Sequence, residues 1–308
     1  MPENKLFPPE GLRPPAEFTM ASLKEAAERH QILEAVAQRC GPDHTLHFSL
    51  DGIAGEMPRS QAVAPWVSGA GREIAVLSRV GRPTCFTVTA LRADAKGAPV
   101  ALLSRREAQD QAMDHFLSHL VPGMVLVCRV TRLERFGVFL DVGCGIAAML
   151  PIERISVSRI SHPAQRFREG QKILAAVYAI DRDARRLTMT HRELLGTWME
   201  NASRFCPGET VRGVVRGIQP YGSFIELTPN LSGLAENRQD LAEGDQVSVF
   251  IKSIRPESMK LKLQVVERLG PAAGPETPVY QVTDGQLERW VYSPPGCVKT
   301  VETVFTSP

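Results

Sequence analysis

Two stretches of the chain carry the same short pattern: Arg135-Phe136-Gly137-Val138-Phe139 and Pro220-Tyr221-Gly222-Ser223-Phe224. Each reads aromatic, Gly, any residue, Phe. Each follows a Gly-led apolar run (Gly123–Val127 and Gly208–Val215) and precedes a second loop of small residues. Side chains alternate along a strand, so two rings three residues apart would face opposite sides. A Gly between them admits a bulge, which can bring both rings to one face. Exposed paired rings on a small β-barrel form a platform on which nucleobases stack. The plainer reading makes Phe136 and Phe139 core residues of a hairpin; recurrence of the pattern and local charge favour the platform.

Internal repeats widen the pattern. Asp51-Gly52-Ile53-Ala54-Gly55-Glu56-Met57-Pro58 aligns without gaps on Cys144-Gly145-Ile146-Ala147-Ala148-Met149-Leu150-Pro151, and more loosely on Asn230–Glu236. Downstream of each lies a Gly, a β-rich run, a turn and a second β run: Gly170–Ile180 with Arg186–Thr190, Gly244–Ile251 with Lys260–Leu263, and Gly81–Val88 with Val100–Ser104. Each unit thus holds about five short β runs separated by Gly, Pro, Asn or Asp. Five strands closing on themselves give the small OB-type barrel, which leaves few free edges. The expected fold is all-β: three tandem OB-type barrels over 27–106, 120–191 and 206–268, joined by short helices over 107–119 and 192–205.

Both connectors show helical spacing. Arg105–Leu120 places Ala108, Met113, Phe116, Leu117 and Leu120 on one face, and His191–Phe205 does so with Leu194, Leu195, Trp198 and Met199. Pro122 and Pro207 would stop them. Residues 1–26, rich in Pro and charge, are expected to be disordered or extended. Residues 269–308 admit either a β-hairpin packed on the last barrel or a disordered tail.

Charge narrows the location of any nucleic-acid surface. The net charge is only +2, so a basic surface must be local. From Leu117 to Leu195 there are twelve Lys/Arg against seven Asp/Glu; from Arg204 to Arg268, nine against eight. Phosphate contacts supply most sequence-independent affinity, which points to the middle unit. The run Ser156–Pro163 with Arg159, Arg166 and Arg168 is a basic stretch that reads equally as phosphate contact or solvated loop.

Other chemistries find little support. The six cysteines form no C-x-x-C pair, so neither zinc nor a disulfide framework is indicated. His115 and His119 lie four apart on a connector without a third ligand nearby, which favours a packing role. Gly143-x-Gly145 lacks the Gly fingerprint and following helix of a dinucleotide site. No nucleophile–base–acid set or carboxylate cluster suggests catalysis. The first residues do not read as a secretory signal, and no apolar run nears the ~20 residues of a membrane helix. A cytoplasmic, non-enzymatic protein without metal, cofactor or small-molecule substrate is expected.

On these residues the middle unit resembles the S1 RNA-binding domain. The match runs through Gly123, Phe136-Gly137-Val138-Phe139, the Gly143-Cys144-Gly145 loop, Asp181 and Arg186-Leu187-Thr188-Met189-Thr190. The third unit matches through Gly208, Tyr221-Gly222-Ser223-Phe224, Gly233-Leu234 and Gly244-Asp245. The first lacks the aromatic-Gly-x-Phe pattern and carries extra sequence around Gln61–Leu77. As a whole the chain resembles a short three-repeat relative of the ribosomal protein built from such domains.

The resemblance implies an RNA face of two rings, a His, an Asp and a basic residue. Carried over, it comprises Phe136, Phe139, Asp181 and Arg186, with Pro151 at the His position. In the third unit it comprises Tyr221, Phe224 and Lys260, with Glu236 at the His position and Arg255 at the Asp position. Arg135, Arg159, Arg166 and Arg168 are candidate phosphate contacts. The implied activity is binding of single-stranded RNA or mRNA in translation, with the small ribosomal subunit as a further partner. The residues alone also admit an RNA-binding adaptor in transcription or RNA turnover, and a protein-interaction scaffold.

Overall fold

The computed structural model describes residues 4–64, 66 and 71–306. The first barrel comprises β1 (Leu33–Cys40), β2 (Leu46–Leu50), β3 (Ile53–Met57), β4 (Pro83–Ala93) and β5 (Pro99–Ser104). The middle one comprises β6 (Val125–Glu134), β7 (Gly137–Asp141), β8 (Ala147–Pro151), β9 (Lys172–Asp181) and β10 (Arg186–Thr190). The third comprises β11 (Thr210–Gln219), β12 (Gly222–Thr228), β13 (Leu231–Ala235), β14 (Asp245–Arg255) and β15 (Lys260–Pro271).

All three close identically. The first three strands form an antiparallel meander, the third runs parallel to the fifth, and the fourth bridges fifth and first. This is the five-stranded OB arrangement expected from the repeats, and closure removes the sheet edges. The three aligned sequence blocks contain or overlap the third strand of each barrel. Alternation supplies the cores: Val138 and Leu140 of β7 and Ala148 and Leu150 of β8 point inward, while Phe139 and Met149 point outward. Part of the extra sequence expected in the first unit, at 65 and 67–70, lies outside the described residues.

α3 (Arg105–His119) joins the first two barrels, and its Ser104 cap accepts from Glu107 N–H at 3.0 Å. The second connector departs from the expected single helix. A 3-10 turn (Arg192–Leu195) ends at Gly196, whose φ of +85° breaks the helical path. α4 (Trp198–Ala202) then restarts behind a Thr197–Glu200 capping box.

The described part of the N-terminal segment, residues 4–26, is not simply disordered or extended. α1 (Met20–Glu28) packs Leu23 and Ala26 onto the first barrel, while α2 (Gly71–Leu77) lies between β3 and β4. Asn4 Nδ2 donates to Val127 O (2.7 Å) and Val142 O (2.6 Å) of the middle barrel. Glu10 is buried between the first two barrels, where its carboxylate accepts from Arg105 Nε (2.7 Å) and Arg79 Nη1 (2.7 Å), and its N–H donates to Asp141. Burial alone would raise the Glu10 pKa, but Arg105 and Arg79 outweigh it and hold the carboxyl below its usual range. Asp141 is driven upward by burial and then by the Glu10 charge beside it.

The C-terminal residues are ordered as a second strap. Val125 N–H donates to Gly285 O (2.9 Å), Gln281 N–H to Leu194 O (2.8 Å) and Trp198 N–H to Tyr292 O (3.0 Å). The short hairpin β16 (Arg289–Val291) and β17 (Glu302–Val304) closes it, and Trp290 and Tyr292 join the third barrel's core. His191 sits under this strap, with Nδ1 donating to Ile155 O (2.8 Å) and Nε2 accepting from Tyr280 Oη (3.3 Å). The Ile155 carbonyl can only accept, which assigns the proton to Nδ1, and Tyr280 Oη in turn accepts from Leu174 N–H (3.0 Å).

Two outcomes test these straps. Glu10→Gln leaves two buried guanidiniums without a counter-charge, so unfolding stability should fall by about 3–5 kcal/mol; an unchanged denaturation midpoint would refute the clamp. Burial depresses His191 from 6.5 to about 4, so between those values the unfolded chain binds a proton that the folded chain does not. Stability should therefore fall as pH drops through that window. His191→Asn should flatten that slope relative to the parent chain, as measured by urea titrations across the window.

Candidate nucleic-acid interface

The ring pairs sit at the start of the second strand in the middle and third barrels. Glu134 pairs with Gly137 and Gln219 with Gly222, which leaves two-residue turns Arg135-Phe136 and Pro220-Tyr221. Phe136 and Tyr221 therefore stand on turns, before strand alternation begins. Phe139 and Phe224 point outward from β7 and β12. Each pair meets edge to face: centroids 6.1 Å apart at 90° for Phe136–Phe139, and 6.1 Å at 89° for Tyr221–Phe224. All are accessible: Phe136 is 57% exposed, Tyr221 69%, Phe224 38%, and Phe139 is half-buried.

The mechanism differs from the expected bulge at the central Gly. The irregularities lie one strand earlier, between Val130 and Arg132 and between Val215 and Gly217. Thr131, inside the first, donates Oγ1 to Phe139 O at 2.9 Å. The Gly is required for a different reason. A Cβ on Gly137 would stand 2.4 Å from Leu150 O, and one on Gly222 would stand 2.7 Å from Ala235 O. The turn lies too close to the third strand's backbone for any side chain.

Register extends the platform beyond the residues found by pattern. Across the middle barrel, Arg132, Phe139, Met149 and Thr188 form one row. Across the third, the row is Gly217, Phe224, Leu234 and Lys262. Met149, Leu234, Arg132 and Lys262 were missed by motif reasoning; the outward phase of β6, β8, β13 and β15 was the available signal. In the first barrel the same row holds Arg39, His47, Glu56 and Leu102. Phe48 points inward, and Glu56 is bound to Arg92. A carboxylate thus occupies the place of Met149.

The remaining expected residues fall in several places. Arg186 is exposed on the outward face of β10, two residues before Thr188. Asp181 pairs with it in register, and its Oδ1 accepts from Ala184 N–H (2.8 Å), so it caps the β9–β10 turn. Lys260 is exposed at the start of β15, on the same face as Lys262, and Arg255 pairs with it in register. Arg135, Arg159 and Arg168 are exposed. Arg166 is a correction: it is only 6% exposed, and it ion-pairs with Glu226 of the third barrel. It holds the seam between barrels, with its guanidinium engaged by Glu226. Pro151 and Glu236, at the His positions, lie on or beside the third strands.

Residues 121–192 match the family model of the S1 RNA binding domain. A segment of 171 residues is 29% identical to the small ribosomal subunit protein bS1 homolog of Bacillus subtilis (strain 168), covering 52% of this chain and 44% of that protein. Over 180 residues the chain is 29% identical to bS1 of Leuconostoc lactis, covering 53% and 42% respectively. The chain therefore spans less than half the length of these relatives. Among solved structures, a multidomain protein with nucleic acid binding domains from Streptococcus pneumoniae aligns with 77% of this chain and 73% of its own, at 13% identity and a TM-score of 0.25.

Gly137→Ala tests the turn geometry. The added methyl meets backbone that cannot withdraw, so the middle barrel should lose about 1–3 kcal/mol, read by thermal or urea denaturation. An unaltered midpoint would mean the turn tolerates a side chain.

Proposed function

From a middle barrel that matches the family model of the S1 RNA binding domain, we propose that the chain binds single-stranded RNA without catalysis. In this reading it holds unstructured mRNA for translation, in contact with the small ribosomal subunit. The observation that carries the reading is the pair of accessible, perpendicular ring sets at equivalent places in two barrels. Stacking on such rings contributes about 1–3 kcal/mol per base and tolerates any sequence. Arg135 adjoins Phe136, Arg132 stands in register with Phe139 while paired to Glu134, Arg186 is exposed two residues from the same row, and Lys262 and Lys260 hold the corresponding places in the third barrel. These cations supply the phosphate attraction that makes binding salt-dependent.

The middle barrel should dominate. It combines the ring pair with the larger excess of basic residues, whereas the third barrel's segment is nearly balanced. Two platforms in one chain also raise avidity by effective concentration. The first barrel, with Glu56 at the corresponding position, adds little attraction for bases or phosphate. The relatives named small ribosomal subunit protein bS1 support the ribosomal placement.

The test is titration of fluorescent oligo-U and oligo-A into the full chain at two salt concentrations. Phe136→Ala with Phe139→Ala should weaken binding about ten- to a hundredfold, following the stacking energy per base. Tyr221→Ala with Phe224→Ala should weaken it less. Binding of either oligomer that ignores both double substitutions would point instead to a scaffold whose barrels engage proteins.

A further inference from the structure

Where the middle and third barrels meet, the surface folds into a cleft of about 390 Å³, lined on one side by residues 272–279 of the C-terminal strap. Arg166 and Arg216 line its interior and share a single carboxylate. Arg166 Nη2 donates to Glu226 Oε2, and Arg216 Nη2 donates to Glu226 Oε1 at 3.1 Å. Two guanidiniums against one carboxylate leave an excess positive charge in a buried place, where charge is costly unless it is paired. Arg216 Nε is buried without a hydrogen-bond partner, and so is the acceptor Gln165 Oε1, on another residue lining the cleft.

The rim adds to the imbalance. Arg204 and Arg212 line the cleft and are exposed, and neither has an ion-pair partner among the described residues. Glu276 is the only other acid lining it. Four guanidiniums therefore face two carboxylates. The forked, planar guanidinium matches the oxygens of phosphate as it does those of a carboxylate.

We propose that this cleft between the middle and third barrels binds a phosphate group carried by a nucleotide. The anionic oxygens fill the space before Arg204 and Arg212, the two exposed rim guanidiniums that have no ion-pair partner among the described residues. That chemistry has two sources: a free mononucleotide or a phosphodiester of an RNA strand. The site does not rest on the ring platforms, although it adjoins one. Glu226 follows Phe224 by two residues on the same outward face of β12, about 7 Å along the strand.

The experiment is calorimetric titration of the full chain, in phosphate-free buffer of low ionic strength, with inorganic phosphate, AMP and a short oligo-A. Phosphate and AMP should bind, and Arg204→Gln with Arg212→Gln should weaken both by about tenfold, as expected for lost charge-assisted hydrogen bonds. Both residues are exposed, so the fold should survive. Tyr221→Ala with Phe224→Ala should leave AMP binding unchanged. Oligo-A that displaces AMP, and that is itself weakened by the arginine substitutions, assigns the cleft to RNA backbone. AMP binding undisturbed by saturating oligo-A assigns it to free nucleotides. Absence of AMP and phosphate binding, or binding indifferent to Arg204 and Arg212, overturns the site. Oligo-A binding that persists in either of those cases leaves the ring platforms intact.

Discussion

Shared carboxylates hold the three barrels together. Glu10 lies between Arg79 and Arg105 at the first seam, and Glu226 between Arg166 and Arg216 at the second. Apolar contact is non-directional and would tolerate sliding of one barrel over another. A buried charge tolerates no such freedom, because any displacement leaves it unpaired in a poorly solvated place. In this chain the ion pairs therefore help to fix the mutual placement of units whose cores are largely separate, with Ile32 and Cys85 of the first unit joining the buried middle core.

The same two strands serve seam and platform. Phe139-Leu140-Asp141 and Phe224-Ile225-Glu226 place an acid two residues after the second ring. Alternation puts that acid on the ring's own face. The acid is covered by the preceding unit or strap, and the ring is left in solvent. Each platform thus begins where a docking surface ends. The first barrel keeps the closure but not the rings: its row carries His47 and Glu56, and its seam contribution comes from Arg79 and Arg105 instead.

Much of the architecture was legible in the sequence because its causes are local. Gly, Pro and Asn punctuation separates short alternating runs, and the repetition of that unit gave three five-stranded barrels. The ring pattern was legible for the same reason, since a hairpin turn is decided by adjacent residues. Of the straps, only the C-terminal hairpin on the last barrel was legible, and then as one of two alternatives. Asn4 bonds to Val127 and Val142, and Leu287 to Gly123, partners more than a hundred residues away. Neither segment has a periodicity that reports burial. Arg166 was misread because charge counting treats every arginine as solvated, and only the approach of Glu226 buries it.

The chain by itself determined the closed barrels, the turn that carries each first ring, and the outward phase of each second ring, because period, punctuation and steric need act over a few residues. Tertiary structure decided which cations stay free, which become seams, and how the two ends are tied down. Those outcomes depend on which surfaces meet. A charge gains or loses its value as a ligand only when another barrel's dielectric and counter-charge arrive beside it.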